Sequence, residues 1–153
     1  MTAAAFILVV HLLSTSAMFG VILFVQVVHY PLFARVGGDG FAEYCRFHQR
    51  LTTLVVAPLM LAEALSGLLL LWIRPPGIPP IQLAAALAAL ALIWASTALL
   101  QIPRHRVFLD GWDAPAHRQL VRTNWLRTAL WAFRMMIVGG WAVMLLSRAS
   151  AAD

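Results

Sequence analysis

Residues 25–53, VQVVHYPLFARVGGDGFAEYCRFHQRLTT, open and close in apolar sequence but gather two histidines, two glutamines and three arginines in between. The stretch reads as the place where one membrane-crossing helix leaves the bilayer and the next enters it. The same alternation of long apolar runs and short polar connections continues along the chain. A hydrocarbon core about 30 Å thick needs roughly 20 apolar residues per helical span, and four windows meet that length, at about 4–28, 51–73, 83–100 and 126–146. With 153 residues, 62% of them hydrophobic, the chain reads as one domain that is too apolar for an ordinary soluble protein. The expected fold is an all-α, integral membrane four-helix bundle whose outer faces meet the lipid bilayer.

The first apolar run has no basic residue before it and is longer than a signal peptide's, so it is expected to stay as the first helix. Cys45 is the single cysteine, which excludes an intrachain disulfide or a CxxC redox pair. All the basic charge is arginine, with no lysine. Its distribution speaks of orientation rather than of nucleic-acid binding. Arg35, Arg46 and Arg50 flank the first connection, Arg104, Arg106, Arg118, Arg122 and Arg127 the third, and Arg74 alone the second. The positive-inside rule then places connections one and three in the cytoplasm. The expectation is a multi-pass protein of the cell inner membrane with both termini on the outer, periplasmic side.

The second connection, RPPGIPP, is a proline-rich reversal that cannot continue a helix. The other two run into FAEYCRFHQR and APAHRQLVRTNW, amphipathic extensions of the second and fourth helices, with Asp39 and Asp113 as expected N-caps. The two hairpins also resemble each other. Gln26, His29, Phe33, a Gly-Asp turn, His48 and Thr52 are matched in order by Gln101, His105, Phe108, an Asp-Gly turn, Asn124 and Thr128. A tandem repeat about an axis along the membrane normal would account for this; coincidence in an apolar, low-complexity sequence is the alternative.

Helical periodicity places polar groups on inward faces. His11 and His29 are 18 positions apart, a whole number of turns, and so share one face of the first helix, with Ser14, Thr15, Met18 and Gln26 near it. They lie roughly 27 Å apart along the axis, so only His29 is expected to join a site at the cytoplasmic end. His48, Thr52 and Glu63 fall together on the second helix, Thr97, Gln101 and His105 on the third, and Asn124 and Thr128 on the fourth, with Arg127 and Arg134 on an adjacent face. Three neutral imidazoles from different helices, His29, His48 and His105, suit a copper, iron or zinc ion with an open position, or proton shuttling without a metal. Gln26, Gln101 and Asn124 would supply donors to the oxygens of a quinone or polyphenol. The bland reading, in which interfacial imidazoles and amides bond only head groups and helix ends, accounts for the same residues. Glu63 and Arg134 both fall inside spans at comparable depth and are expected to pair, either to lock two helices together or to anchor a substrate. Trp72, Trp112, Trp125 and Trp141 read as an interfacial aromatic belt, and His117 as a solvated residue.

The segments Thr97–Gly111, TALLQIPRHRVFLDG, and Leu120–Thr128, LVRTNWLRT, with HYPLF at His29–Phe33, resemble the small four-helix membrane proteins grouped with the anthrone oxygenases, a group made up largely of uncharacterised bacterial membrane proteins. The resemblance implies oxygen-dependent oxidation of a polycyclic phenolic or similar small lipophilic molecule. It carries His105, Asn124, Trp125 and Arg127 as candidate site residues, and the absence of flavin- or nucleotide-binding sequence agrees with either no cofactor or a metal alone. A fainter likeness, through His11, to the bacterial membrane protoporphyrinogen oxidase is opposed by the absence of lysine. The sequence thus points to a membrane oxidoreductase with His29, His48, His105 and Asn124 as catalytic candidates, the three histidines doubling as metal ligands. Gln26, Gln101, Trp125, Arg127, Glu63 and Arg134 are the substrate-binding candidates. A b-haem or pigment-binding module and an accessory subunit of a larger membrane complex, or a homo-oligomer, are the alternatives.

Overall fold

The computed structural model of the chain describes residues 2–151, the side chain of Ala149 excepted, and they contain no strand. Four helices make up the bundle: α1 Ala3–Phe33, α2 Phe41–Leu69, α3 Pro80–Val107 and α4 Ala114–Ser150. Each is long and apolar enough to cross a membrane. Their outward faces are what a lipid-facing surface requires, since Leu54, Leu99, Met136 and Leu146 are each exposed by 67–70%. The 37 residues of α4, at about 1.5 Å each, outreach a hydrocarbon core about 30 Å thick. Its first turns, like those of α2, belong to the polar extensions that the sequence marks out.

The helix ends follow local chemistry, with two departures from expectation. Thr2 caps α1, its Oγ1 accepting from the Ala5 N–H (3.2 Å). Asp113 caps α4 as expected, its Oδ1 accepting from the Ala116 N–H (2.6 Å). Asp39, however, does not cap α2: Gly40 occupies the cap position with no side-chain bond, and its carbonyl accepts from Tyr44. The second span also ends at Leu69 rather than at residue 73, because Leu70–Ile73 already turn toward the prolines. Gly77 completes that reversal with a φ of +97°, a conformation open to glycine at no steric cost.

Both odd-numbered helices contain one widened turn. Val25–His29 in α1 and Thr97–Gln101 in α3 are π-helical, closed by i→i−5 bonds from Tyr30 N to Val25 O and from Ile102 N to Thr97 O. The physical reason lies just beyond each. Pro31 and Pro103 have no N–H to give the carbonyl four residues back, and their rings crowd it. The extra residue in α1 also breaks the expected register: His11 and His29 are no longer separated by whole turns. His11 is buried, whereas His29 is only half-buried.

Packing is uneven around the bundle. Helix α1 lies closely against α2 and α4, and α3 against α4, but α2 and α3 scarcely touch. Along the axis, apolar and polar layers alternate. One apolar end contains Leu8, Leu70, Leu83, Val138 and Trp141; the middle contains Met18, Ile22, Met60, Ile93 and Trp131; the connection end contains Tyr30, Phe33, Phe41, Phe108 and Leu120. Polar groups fill the levels between. Trp141 is not part of an aromatic belt: it is 1% exposed and donates to Gln82 Oε1 (2.7 Å).

The caps give a paired prediction. Asp113→Ala should lower stability by about 1 kcal/mol in reversible unfolding in detergent, while Asp39→Ala should leave the midpoint unchanged.

Candidate functional site

The deepest polar level is built around Glu63, which is fully buried and paired with Arg134. Carboxylate oxygen Oε1 accepts from Thr15 Oγ1 (2.9 Å) and from Arg134 Nε (3.0 Å), and Oε2 from Trp131 Nε1 (3.0 Å). Arg134 spends its remaining donors on the Ala86 carbonyl and on His11 Nε2 (3.4 Å). The tautomer of His11 follows from its other side. Ser66 Oγ lies 2.9 Å from His11 Nδ1, and the single hydroxyl hydrogen of Ser66 goes to the Ala62 carbonyl (2.6 Å). Nδ1 therefore carries the imidazole proton and Nε2 accepts from the guanidinium. All four helices are tied together at this level, and neither charge is left without partners.

The next level, beside the two π-turns, consists of amides. Asn124 Nδ2 donates to Gln26 Oε1 (2.9 Å), Gln26 Nε2 to the Val121 carbonyl (3.3 Å), and Arg127 to Asn124 Oδ1 (3.1 Å). The Arg127 guanidinium also stands over the Trp131 ring, 5.2 Å from its centroid. Gln101 donates to Thr123 Oγ1 (3.1 Å), so it belongs to the α3–α4 contact rather than to the Gln26–Asn124 pair. Trp125 is 54% exposed on the outer surface and does not join these groups.

The three imidazoles meet at the connection end. His29 Nε2 and His48 Nδ1 lie 2.9 Å apart, and Thr52 Oγ1 approaches the same His48 nitrogen at 3.1 Å. At most one of the two facing ring nitrogens carries a hydrogen, so the pair shares a proton. His105 Nε2 bonds the Tyr30 hydroxyl (3.0 Å), and the His48 and His105 ring centroids are 5.7 Å apart. Phe33, fully buried, presents its ring edge-on to His29, His48 and His105, with centroids at 5.0, 5.1 and 6.4 Å. His105 Nδ1 is buried with no partner among the described residues. A cleft of about 320 Å³, lined by His48, Gln49, Thr52, Ile102 and His105 among others, opens at this level between α2 and α3.

This arrangement bears on cofactors. A haem held between two imidazoles needs their ligating nitrogens about 4 Å apart, two metal–nitrogen bonds of roughly 2 Å; His29 and His48 are bonded to each other instead. No group of three histidine, cysteine or carboxylate side chains among the described residues is disposed to hold a metal ion.

Several participants escape sequence reasoning. Tyr30 and Gln49, whose side-chain amide donates to the His105 carbonyl (2.8 Å), adjoin His29 and His48 in the chain. That adjacency to the two histidines was the available signal. His117 is not solvated as expected: its Nε2 donates to the Tyr30 carbonyl (2.7 Å), one of the last-turn acceptors of α1. His11 belongs to the ion-pair level. Comparison with family models, with curated proteins and with solved structures gives no match.

The ion pair gives a sharp prediction. Glu63→Gln, which leaves the Arg134 charge buried and unpaired, should cost on the order of 3–5 kcal/mol. The double replacement Glu63→Gln, Arg134→Met should be less destabilised than Glu63→Gln alone, as read by chemical unfolding in detergent micelles.

Proposed function

We propose that this multi-pass membrane protein binds a lipophilic aromatic or quinone-like molecule in the cleft between α2 and α3 and oxidises it with the imidazole cluster. The observation that carries the reading is His105 Nδ1, a buried ring nitrogen with no partner among the described residues, in a histidine that lines that cleft. The cleft lies on the seam where α2 and α3 scarcely touch, and a second, apolar hollow of about 300 Å³ lies between the same two helices farther along the seam, toward the second connection. A hydrophobic molecule therefore has a lateral route from the bilayer.

In this reading His105, held by Tyr30, takes a phenolic proton, and the His29–His48 pair passes protons toward the connection end. Asn124, Gln26 and Arg127, one level inward from the imidazoles, would orient the substrate's oxygens, with Gln101 beside them in the α3–α4 contact, and Glu63 and Arg134 serve as structural anchors beneath. In balanced form, a hydroquinone-type substrate loses two protons and two electrons, and dioxygen takes both up as hydrogen peroxide. The likeness of HYPLF, TALLQIPRHRVFLDG and LVRTNWLRT to the anthrone-oxygenase group supports oxygen as the oxidant. A copper, iron or zinc ion would require His29 and His48 to exchange their mutual hydrogen bond for ligand bonds. The arginine distribution supports connections one and three on the cytoplasmic side of the inner membrane, with both termini outside.

The test is an ultraviolet-visible spectrum and metal analysis of the detergent-purified protein, then oxygen consumption with a naphthohydroquinone. The expected result is turnover that falls on the order of 10²-fold or more in His105→Ala and less steeply in Tyr30→Phe. Stoichiometric metal lost on mutation of the three histidines would convert the site to a metal centre. Absence of binding and turnover in the wild type, or indifference to His105→Ala, would overturn the reading.

A further inference from the structure

On the face next to the α2–α3 seam, the end of α3 and the beginning of α4 enclose a cleft of about 540 Å³ whose lining includes Arg104, Arg118, Arg122, Gln119 and Thr123. Three guanidiniums converge there without a carboxylate, because the one ion pair among the described residues is the distant Glu63–Arg134 contact. Arg104 is held in place from α3 and α4 at once. Its Nη1 donates to the Leu100 carbonyl (2.7 Å) and its Nη2 to Gln119 Oε1 (3.3 Å), while its Nε is buried with no partner among the described residues. Arg118 and Arg122, four residues apart and therefore neighbours on one face of α4, are both exposed.

The position of the cleft along the bundle identifies its occupant. One turn inward from Arg122 along α4 are Trp125 and Leu126, 54% and 48% exposed, and just inward of Arg104 along α3 is Leu99, 70% exposed. The basic groups thus stand where the apolar lipid-facing surface begins, with an aromatic ring at the boundary, the level at which head groups lie. We infer that this cleft is a binding site for the phosphate of an anionic phospholipid, with Arg104, Arg118 and Arg122 around the phosphate oxygens and the acyl chains against Leu99 and Leu126. Arginine suits this task because its planar fork of donors matches phosphate geometry, and basic pockets between membrane helices are a recurrent way of holding such head groups. The inference does not rest on the imidazole cluster, whose cleft opens on the neighbouring α2–α3 side.

The test uses the full chain purified in detergent, with phosphatidylglycerol, phosphatidylcholine and inorganic phosphate as probes, read by thermal shift and by retained lipid in native mass spectrometry. Phosphatidylglycerol should bind and raise the midpoint, phosphatidylcholine and inorganic phosphate should not, and Arg118→Gln/Arg122→Gln should weaken phosphatidylglycerol binding on the order of ten-fold. The control pair Arg46→Gln/Arg50→Gln removes the same charge at the first connection and should leave binding unchanged. Equal loss in both double variants would reduce the effect to diffuse surface charge and overturn the site. Equal stabilisation by inorganic phosphate would make it a soluble-anion site and overturn the lipid assignment. If both double variants bind phosphatidylglycerol like the wild type, the cleft holds no lipid.

Discussion

A carboxylate buried in the middle of a membrane bundle imposes conditions on everything around it. Glu63 can stay ionised there only if a cation lies against it and its remaining lone pairs are filled. The chain meets both needs with groups from two other helices, Thr15 from α1 and Trp131 and Arg134 from α4. Arg134 in turn needs acceptors, which brings in the Ala86 carbonyl of α3 and His11 of α1. One buried charge therefore fixes the depth and rotation of all four helices relative to one another. Van der Waals packing alone, with lipid tails as apolar as the core, specifies such register weakly.

From that level toward the connection end the buried polar groups are less completely satisfied. Among the described residues, the ion-pair level has no orphaned atom, whereas the levels near the π-turns and the imidazoles contain Gln101 Oε1, Arg127 Nε and His105 Nδ1, all buried without partners. The same end holds both proline-induced widened turns and the polar part of the seam along which α2 and α3 separate. The polar groups thus fall into two kinds. Those that satisfy one another hold the structure together, and those left unsatisfied, His105 Nδ1 beside the α2–α3 cleft among them, take no part in that.

Much of the architecture was legible in the sequence because its causes are local or averaged over many residues. Four spans follow from hydropathy, the α4 cap from Asp113 with Pro115 behind it, and the Glu63–Arg134 pair from the cost of isolated charge at matched depth. What escaped depends on individual backbone events. A π-turn before Pro31 inserts one residue between His11 and His29, and no count at 100° per residue survives that. Asp39 fails as a cap because Gly40 closes the turn one residue later. His117, on a charged and seemingly solvated stretch, finds the Tyr30 carbonyl because the last turn of α1 leaves acceptors free. Trp125 sits next to Asn124 in the chain but points outward, and Trp141, placed like a belt residue, points in.

The imidazole cluster shows why composition alone overstates and understates a site at once. Three histidines at one level suggest a metal triad, yet His29 and His48 have found each other and His105 has found a tyrosine. Their free capacity is smaller than three ligands and is placed in a particular spot, the Nδ1 of His105. A hydrogen-bonded imidazole pair is also poised for proton movement in a way that isolated rings are not, since the hydrogen between them can pass from one nitrogen to the other over 2.9 Å. Phe33, fully buried, stands edge-on to all three rings, and the cleft that His48 and His105 line is the open side of the cluster. The proposed removal of a phenolic proton by His105 would therefore ask little rearrangement of these groups.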